Sequence, residues 1–182
     1  HCISSAASDV YKRQFETYDK VLSQAMRGGG RIYSAAYIMP PGSSAFGYSA
    51  KHQNHLKLLE RMMEQKLPEI LRKLPNMQQA FELIRSYPTI GNFLAYQFVT
   101  DINYSEVTGF SEMEFVVPGP GALDGLRKCF GDGGGLGGEY LIRLMAENQQ
   151  YEFDRLEINF ESLWGRPLQL LSLIHISEPT RR

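Results

Sequence analysis

YPTIGNFLAYQFVTDINYSEVTGFSEMEFVVPGPGALDGLRKCF, residues Tyr87 to Phe130, decides the fold, because two turn signals in it each run straight into a helix. In Pro88-Thr89-Ile90-Gly91 the proline ends the preceding helix and Gly91 allows a tight turn. Asn92 to Val99 continues as a helix, with small Ala95 four residues after the glycine. In Val117-Pro118-Gly119-Pro120-Gly121-Ala122 two glycines stand at the turn, and Gly125 follows, where a missing side chain permits close helix packing.

Both turns resemble helix-hairpin-helix elements, in which backbone N–H groups at a helix N-terminus grip a DNA phosphate. Gly91, Gly119 and Gly121 are then the expected backbone contacts, and Arg127 and Lys128 lie on the helix that follows the second turn. The usual hairpin has glycine where Thr89 stands, so the second turn is the stronger signal. The plainer alternative is an ordinary helix–helix turn with solvated basic residues. Between the turns lie Asp101, Glu112 and Glu114, acids suited to a catalytic carboxylate or, more plainly, to capping and solvation.

Outward from this stretch the pattern stays helical. Phe15 to Met26 has helix-forming composition and stops at Gly28-Gly29-Gly30, and Arg31 to Met39 reads as either extended or short buried chain. After a Pro40-Pro41-Gly42 loop, Lys51 to Leu67 carries Leu56, Leu59, Met62 and Met63 at helical spacing, with charged residues between them. Pro68 suits the first turn of a helix over Glu69 to Leu74, and Asn76 can cap another over Met77 to Tyr87. Gly131 to Gly138 reads as a linker before a helix over Glu139 to Phe153. It lacks the GK[ST] ending of a nucleotide-binding loop.

Both ends stand apart from this pattern. SSAASDVYKRQ at Ser4 to Gln14 and LSLIHISEPTR at Leu171 to Arg181 resemble translated sequencing adaptors. Asp9 to Gln14 can be coded GAT GTG TAT AAG AGA CAG, whose reverse complement encodes Leu171 to Ile176. The expectation is an adaptor-like segment over 1–14, one truncated helical domain over 15–170, and a second adaptor-like segment over 171–182. That domain holds 15 Lys and Arg against 18 Asp and Glu. A net charge of −3 weighs against holding nucleic acid by bulk positive charge, so any DNA contact has to be local. Cys129 is its one cysteine, which suits a reducing intracellular setting and excludes a disulfide framework. His52 and His55 sit three apart without an evident carboxylate partner at ligand spacing, so no metal is assigned.

Four stretches resemble the helical domain associated with 5-hydroxymethyl-deoxyuridine DNA kinases and the related alpha-glutamyl/putrescinyl thymine pyrophosphorylases: GRIYSAAYIMPPG from Gly30, YPTIGNFLAYQFVTDINYS from Tyr87, FSEMEFVVPGPGALDGLRKCF from Phe110 and LWGRPLQL from Leu163. The resemblance implies an all-α, glycosylase-like fold acting on DNA in thymine hypermodification, in the cytoplasm of a bacterial or phage-infected cell. It implies transfer of an amine or amino acid to a phosphorylated hydroxymethyl pyrimidine with loss of pyrophosphate, the base being flipped from the stack. Asp101 and Glu114 are the expected acid/base groups, and Tyr96 the expected pocket wall. No cofactor is implied for this domain itself, whereas a partner kinase would need ATP and Mg. The motif that usually follows LWGRPLQL in the family is replaced here, so activity requiring it is expected to be absent from this polypeptide. Two other readings compete: a non-catalytic DNA-binding module that positions a kinase, and a helical interaction domain whose Tyr37, Phe93, Tyr96, Phe98 and Trp164 are core.

Overall fold

The computed structural model describes residues 2–33, 39–162 and 165–177. Tyr37 and Trp164 lie outside them. The described residues are helical and contain no strand, which is the all-α class expected. The chain divides into two compact units, residues 1–109 and 110–182. The division falls in residues 104–119, a run without a helix, where no backbone ladder carries the first unit into the second.

Unit 1 contains α1 (Cys2–Arg27), α2 (Ser43–Phe46), α3 (Lys51–Glu64), α4 (Leu67–Leu71), α5 (Met77–Arg85) and α6 (Asn92–Asn103). Helix α3 packs on α1, α2 and α4, and α5 packs on α6. Burial of Leu58, Leu71, Met77, Ile84, Ala95 and Val99 supplies the apolar core. Local chemistry explains the boundaries. Asn76 Oδ1 accepts from Gln79 N at 2.9 Å and caps α5, and Pro68 occupies the first turn of α4, where its missing N–H costs no helical bond.

Helix α3 corrects the expected apolar face. Leu58 and Met62 are buried with His52 and Asn54, whereas Leu59 and Met63 remain 56% and 41% exposed. Asn54 is a polar hub for the preceding loop. Its amide donates to Pro41 O and Tyr48 O, both at 2.9 Å, and its Oδ1 accepts from Tyr48 N at 3.0 Å. This loop includes the short helix α2, which the Pro40-Pro41-Gly42 turn signal does not announce.

Unit 2 contains α7 (Pro120–Phe130), a 3-10 turn (Gly133–Gly135), α8 (Gly138–Arg155) and α9 (Leu170–Ser177). The glycine run is a tight corner rather than a linker: Gly131, Gly133, Gly134 and Gly135 all have positive φ, and Asp132 Oδ1 accepts from Gly134 N. Helix α9 packs on α7 and α8, and Leu173 and Ile174 are as buried as Leu168. At the other end, α1 passes without a break through residues 14 and 15.

Candidate functional site

In unit 1 the turn over residues 86–91 joins α5 to α6. Tyr87 and Ile90 are buried on its inner side, and Thr89 takes a left-handed conformation with φ 70°. A β-branched residue resists that region, so Thr89 carries the backbone bend that a hairpin glycine would otherwise provide. Its Oγ1 is buried with no hydrogen-bond partner among the described residues. Gly91 then serves as N-cap of α6 in extended geometry, its carbonyl accepting from Ala95 N at 2.9 Å, and Ala95 is fully buried beneath the turn.

The first turn of α6 has no side-chain cap and no acidic residue, and residues 91–93 are exposed. Helix N-terminal N–H groups left this way present donors and a partial positive charge to an anion. Arg85, at the end of α5, places its Nη1 3.4 Å from Asn92 Oδ1, which brings a guanidinium beside the same turn. Sequence reasoning missed Arg85 because its place depends on the chain reversing between residues 85 and 92.

The second turn is built differently. Residues 110–119 form no helix, so α7 is entered from irregular chain instead of from a helical hairpin. Gly119 is the α7 N-cap with φ −74°, and Gly121 lies in its first turn, again without a side-chain cap. Arg127 and Lys128 sit in the last turn, at the opposite end from those glycines, and pair with Asp124 at 2.6 and 2.7 Å. The Lys128 and then the Arg127 hydrogen bond hold the Asp124 carboxyl below the usual carboxylate range.

The expected acids fall one in each unit. Asp101 is exposed in the last turn of α6 and lines an apolar cleft of about 400 Å³ between α3, α4 and α6. Glu114 is exposed in the irregular segment before α7, where Arg143 of α8 donates to Met113 O at 2.7 Å and Glu114 O at 2.9 Å. Glu112 is half-buried in the same segment. Tyr96, expected as a pocket wall, is 3% exposed in the unit 1 core and is not among the residues that line this cleft. Its position on α6 turns it inward beside Ala95 and Val99.

The two histidines turn to different partners. Asp19 accepts from His52 Nε2 at 2.8 Å, from Gln53 Nε2 at 3.0 Å and from Ser23 Oγ at 3.2 Å. His55 Nε2 donates to Pro40 O and its Nδ1 accepts from Tyr33 OH, each at 2.9 Å. Among the described residues no three His, Cys, Asp or Glu side chains gather at metal-binding distances.

Residues 2–177 match the family described as 5-hmdU DNA kinase, helical domain. The chain belongs to this family. No curated protein and no solved structure matches it. As a 5-hmdU DNA kinase helical domain it is related to thymine hypermodification, and the family associates it in general terms with a DNA kinase and a DNA substrate. The matched span reaches into both segments expected to be flanks, over residues 2–14 and 171–177. Among the described residues of this helical domain, no helix is long and apolar enough to cross a membrane.

Proposed function

We propose that this domain handles phosphorylated 5-hydroxymethyluracil in DNA, and that the N-terminus of α6 is its principal contact with the backbone. The observation that carries the reading is the uncapped first turn of α6, presented behind the left-handed Thr89 with Arg85 beside it. Gly91 has ordinary φ and no atom within 4 Å of where a Cβ would stand, so the fold itself does not demand glycine there. Close approach of a phosphate does. The start of α7 at Gly119 and Gly121 offers a second, similar set of donors. Arg127 and Lys128 contribute at most from the far end of that helix, after leaving Asp124.

The chemistry assigned to the domain is displacement at the hydroxymethyl carbon. On a hydroxymethyl group carried as its diphosphate ester, an amine nitrogen forms the new C–N bond as the C–O bond breaks, and pyrophosphate departs with the electron pair. The proton released by the amine passes to a carboxylate, for which Asp101 and Glu114 are the candidates. Helix N-terminal donors and Arg85 would stabilise charge on the phosphate groups. This reading takes residues 15–170 as the native domain and the flanks as adaptor-derived, on the coding complementarity of the two ends.

Two measurements test it. Fluorescence anisotropy with a hydroxymethyluracil duplex at graded salt should show binding that Arg85→Gln weakens, with the salt slope reduced by about one. Gly91→Ala should weaken it while leaving the melting temperature nearly unchanged. Unchanged affinity in both variants would remove α6 from the interface. Incubation of this chain with phosphorylated DNA and an amine, followed by nucleoside mass spectrometry, tests turnover. Product lost in Asp101→Asn supports the carboxylate role, and product retained removes Asp101 from the mechanism.

A further inference from the structure

Charge is unevenly divided along the chain. Residues 15–109 carry 10 Lys and Arg against 8 Asp and Glu, whereas residues 110–170 carry 5 against 10. Within this acidic part, α8 has two unlike faces. Ile142 and Ala146 are buried in the unit 2 core, and Gln149 on the same side bonds to Leu168 N and Leu168 O. Residues 140, 144, 147, 151 and 154 return to the opposite side by the three- and four-residue spacing of a helix. There Tyr140, Leu144 and Tyr151 are 53%, 40% and 66% exposed, interleaved with exposed Glu147 and Asp154. The apolar row from Tyr140 to Tyr151 spans about 17 Å at a helical rise of about 1.5 Å per residue. Solvation explains the acids, but not two tyrosines and a leucine aligned over three turns. The two cations of α8 are used elsewhere: Arg143 donates to Met113 O and Glu114 O, and Arg155 pairs with Glu152.

We propose that this outer face of α8 docks a helix of a partner protein, apolar along one side and rimmed with Lys or Arg. Charge selects the occupant. DNA phosphates would meet Glu147 and Asp154 along the row, and so would an anionic lipid surface. A second copy paired by a two-fold axis at the middle of the row would bring the two Glu147 side chains together, a like-charge contact. A basic amphipathic helix meets both components. Its apolar side covers the Tyr and Leu groups, and its flanking cations reach Glu147 and Asp154. Tyrosine suits such an anchor, because it supplies a large contact area with only two side-chain torsions to order. A protein that acts on the same DNA needs cationic surface of its own, so this chemistry is one that a working partner of the domain would carry.

Docking here uses neither the N-terminus of α6 nor the carboxylates of the transfer chemistry, so it stands apart from the proposed function. The probe is a labelled helical peptide of about 18 Leu and Lys residues with every Leu on one face, titrated by fluorescence anisotropy against the whole chain without DNA. Two controls accompany it: the same residues scrambled, and the one-faced peptide with Glu for Lys. The one-faced Lys peptide should bind, and each control should bind about tenfold more weakly or worse. Leu144→Ala with Tyr151→Ala should weaken binding about tenfold and leave the melting temperature unchanged, since both side chains are exposed. Glu147→Lys with Asp154→Lys, which removes no packed side chain, should weaken it at low salt and abolish most of its salt dependence. Absence of binding, equal binding of the controls, or binding indifferent to both pairs of substitutions overturns the proposal. So does a dimer in sedimentation that Tyr151→Ala disperses, which gives the face to a second copy. Loss of duplex affinity in Leu144→Ala with Tyr151→Ala also overturns it and gives the face to DNA. Unchanged duplex affinity in Arg85→Gln would discard the DNA contact of α6 and leave a positive peptide result standing.

Discussion

Unit 1 bends its chain through a residue that opposes the bend, whereas unit 2 approaches its corresponding helix in relaxed geometry and holds the approach from outside. Thr89 sits at φ 70°, a strain of about 1–3 kcal/mol for a side chain branched at Cβ. It persists because its surroundings over-determine it. Tyr87 and Ile90 are buried on either side, and a Cβ at Gly42 would lie 3.4 Å from Thr89 Cγ2 and 3.2 Å from Asn54 Cβ, so the loop fixed by Asn54 leans directly on the turn. Residues 113 and 114 of unit 2 are held by the Arg143 guanidinium on two carbonyl oxygens. A buried polar hub can hold strain that a partly solvated one would release, because the alternative partners of a buried group do not include water.

Removing the hub is therefore the largest expected effect. Asn54→Ala leaves the Tyr48 N–H and two carbonyls without their partner, and we expect about 3 kcal/mol of destabilisation in denaturant titration. Faster amide exchange at Tyr48 should accompany it. Arg143→Leu, the matching cut in unit 2, should cost about 1–2 kcal/mol, since water can reach Glu114 O. A loss at Arg143 as large as that at Asn54 would erase the distinction between the two supports. Thr89→Gly sharpens it further. Relief of the left-handed strain should outweigh the greater entropy of the unfolded glycine chain, raising stability by about 1 kcal/mol. A fall in melting temperature would mean that Thr89 is packed too well for its strain to matter.

The contrast also shows what could be read from residue order. The Asn76 cap and the helical Pro68 rest on neighbours within one turn of helix, and they were legible. So was the all-α class. The ranking of the two turns was not: glycine content favours the second, yet the first is the one set between two helices, with Thr89 itself in the left-handed conformation that a glycine would take. Period alone put Leu59 and Met63 on the packed face of α3, since apolar residues at 56, 58, 59, 62 and 63 cover more than one face. Their exposure was the available mark of the cleft. Arg85 and Arg143 act across chain reversals, and Tyr96 went inward on a helix whose apolar residues occupy most of its circumference, leaving no contrast to orient it.

Two carboxylates close the comparison at its smallest scale. Asp19 in unit 1 and Asp124 in unit 2 both lie below the usual carboxylate range, but Asp19 joins α1 to α3 whereas Asp124 bonds only within α7. The Gln53 hydrogen bond is the largest cause at Asp19, followed among the lowering influences by those from His52 and Ser23. A carboxyl depressed in the folded state stabilises the fold above its unfolded value of 3.8, and that contribution disappears as pH falls through the folded value. Gln53→Leu should therefore destabilise the chain at pH 6 by a fraction of about 1 kcal/mol, discounted for the partial exposure of Asp19, and the difference from wild type should fade as pH falls below the unfolded value of 3.8. Asp124→Asn should change stability at neither pH, since both of its partners are solvated and belong to its own helix. A pH-dependent loss at Asp124 that matched the one at Gln53 would show that the local pairs of unit 2 bear on its fold as much as the bridge between helices bears on unit 1.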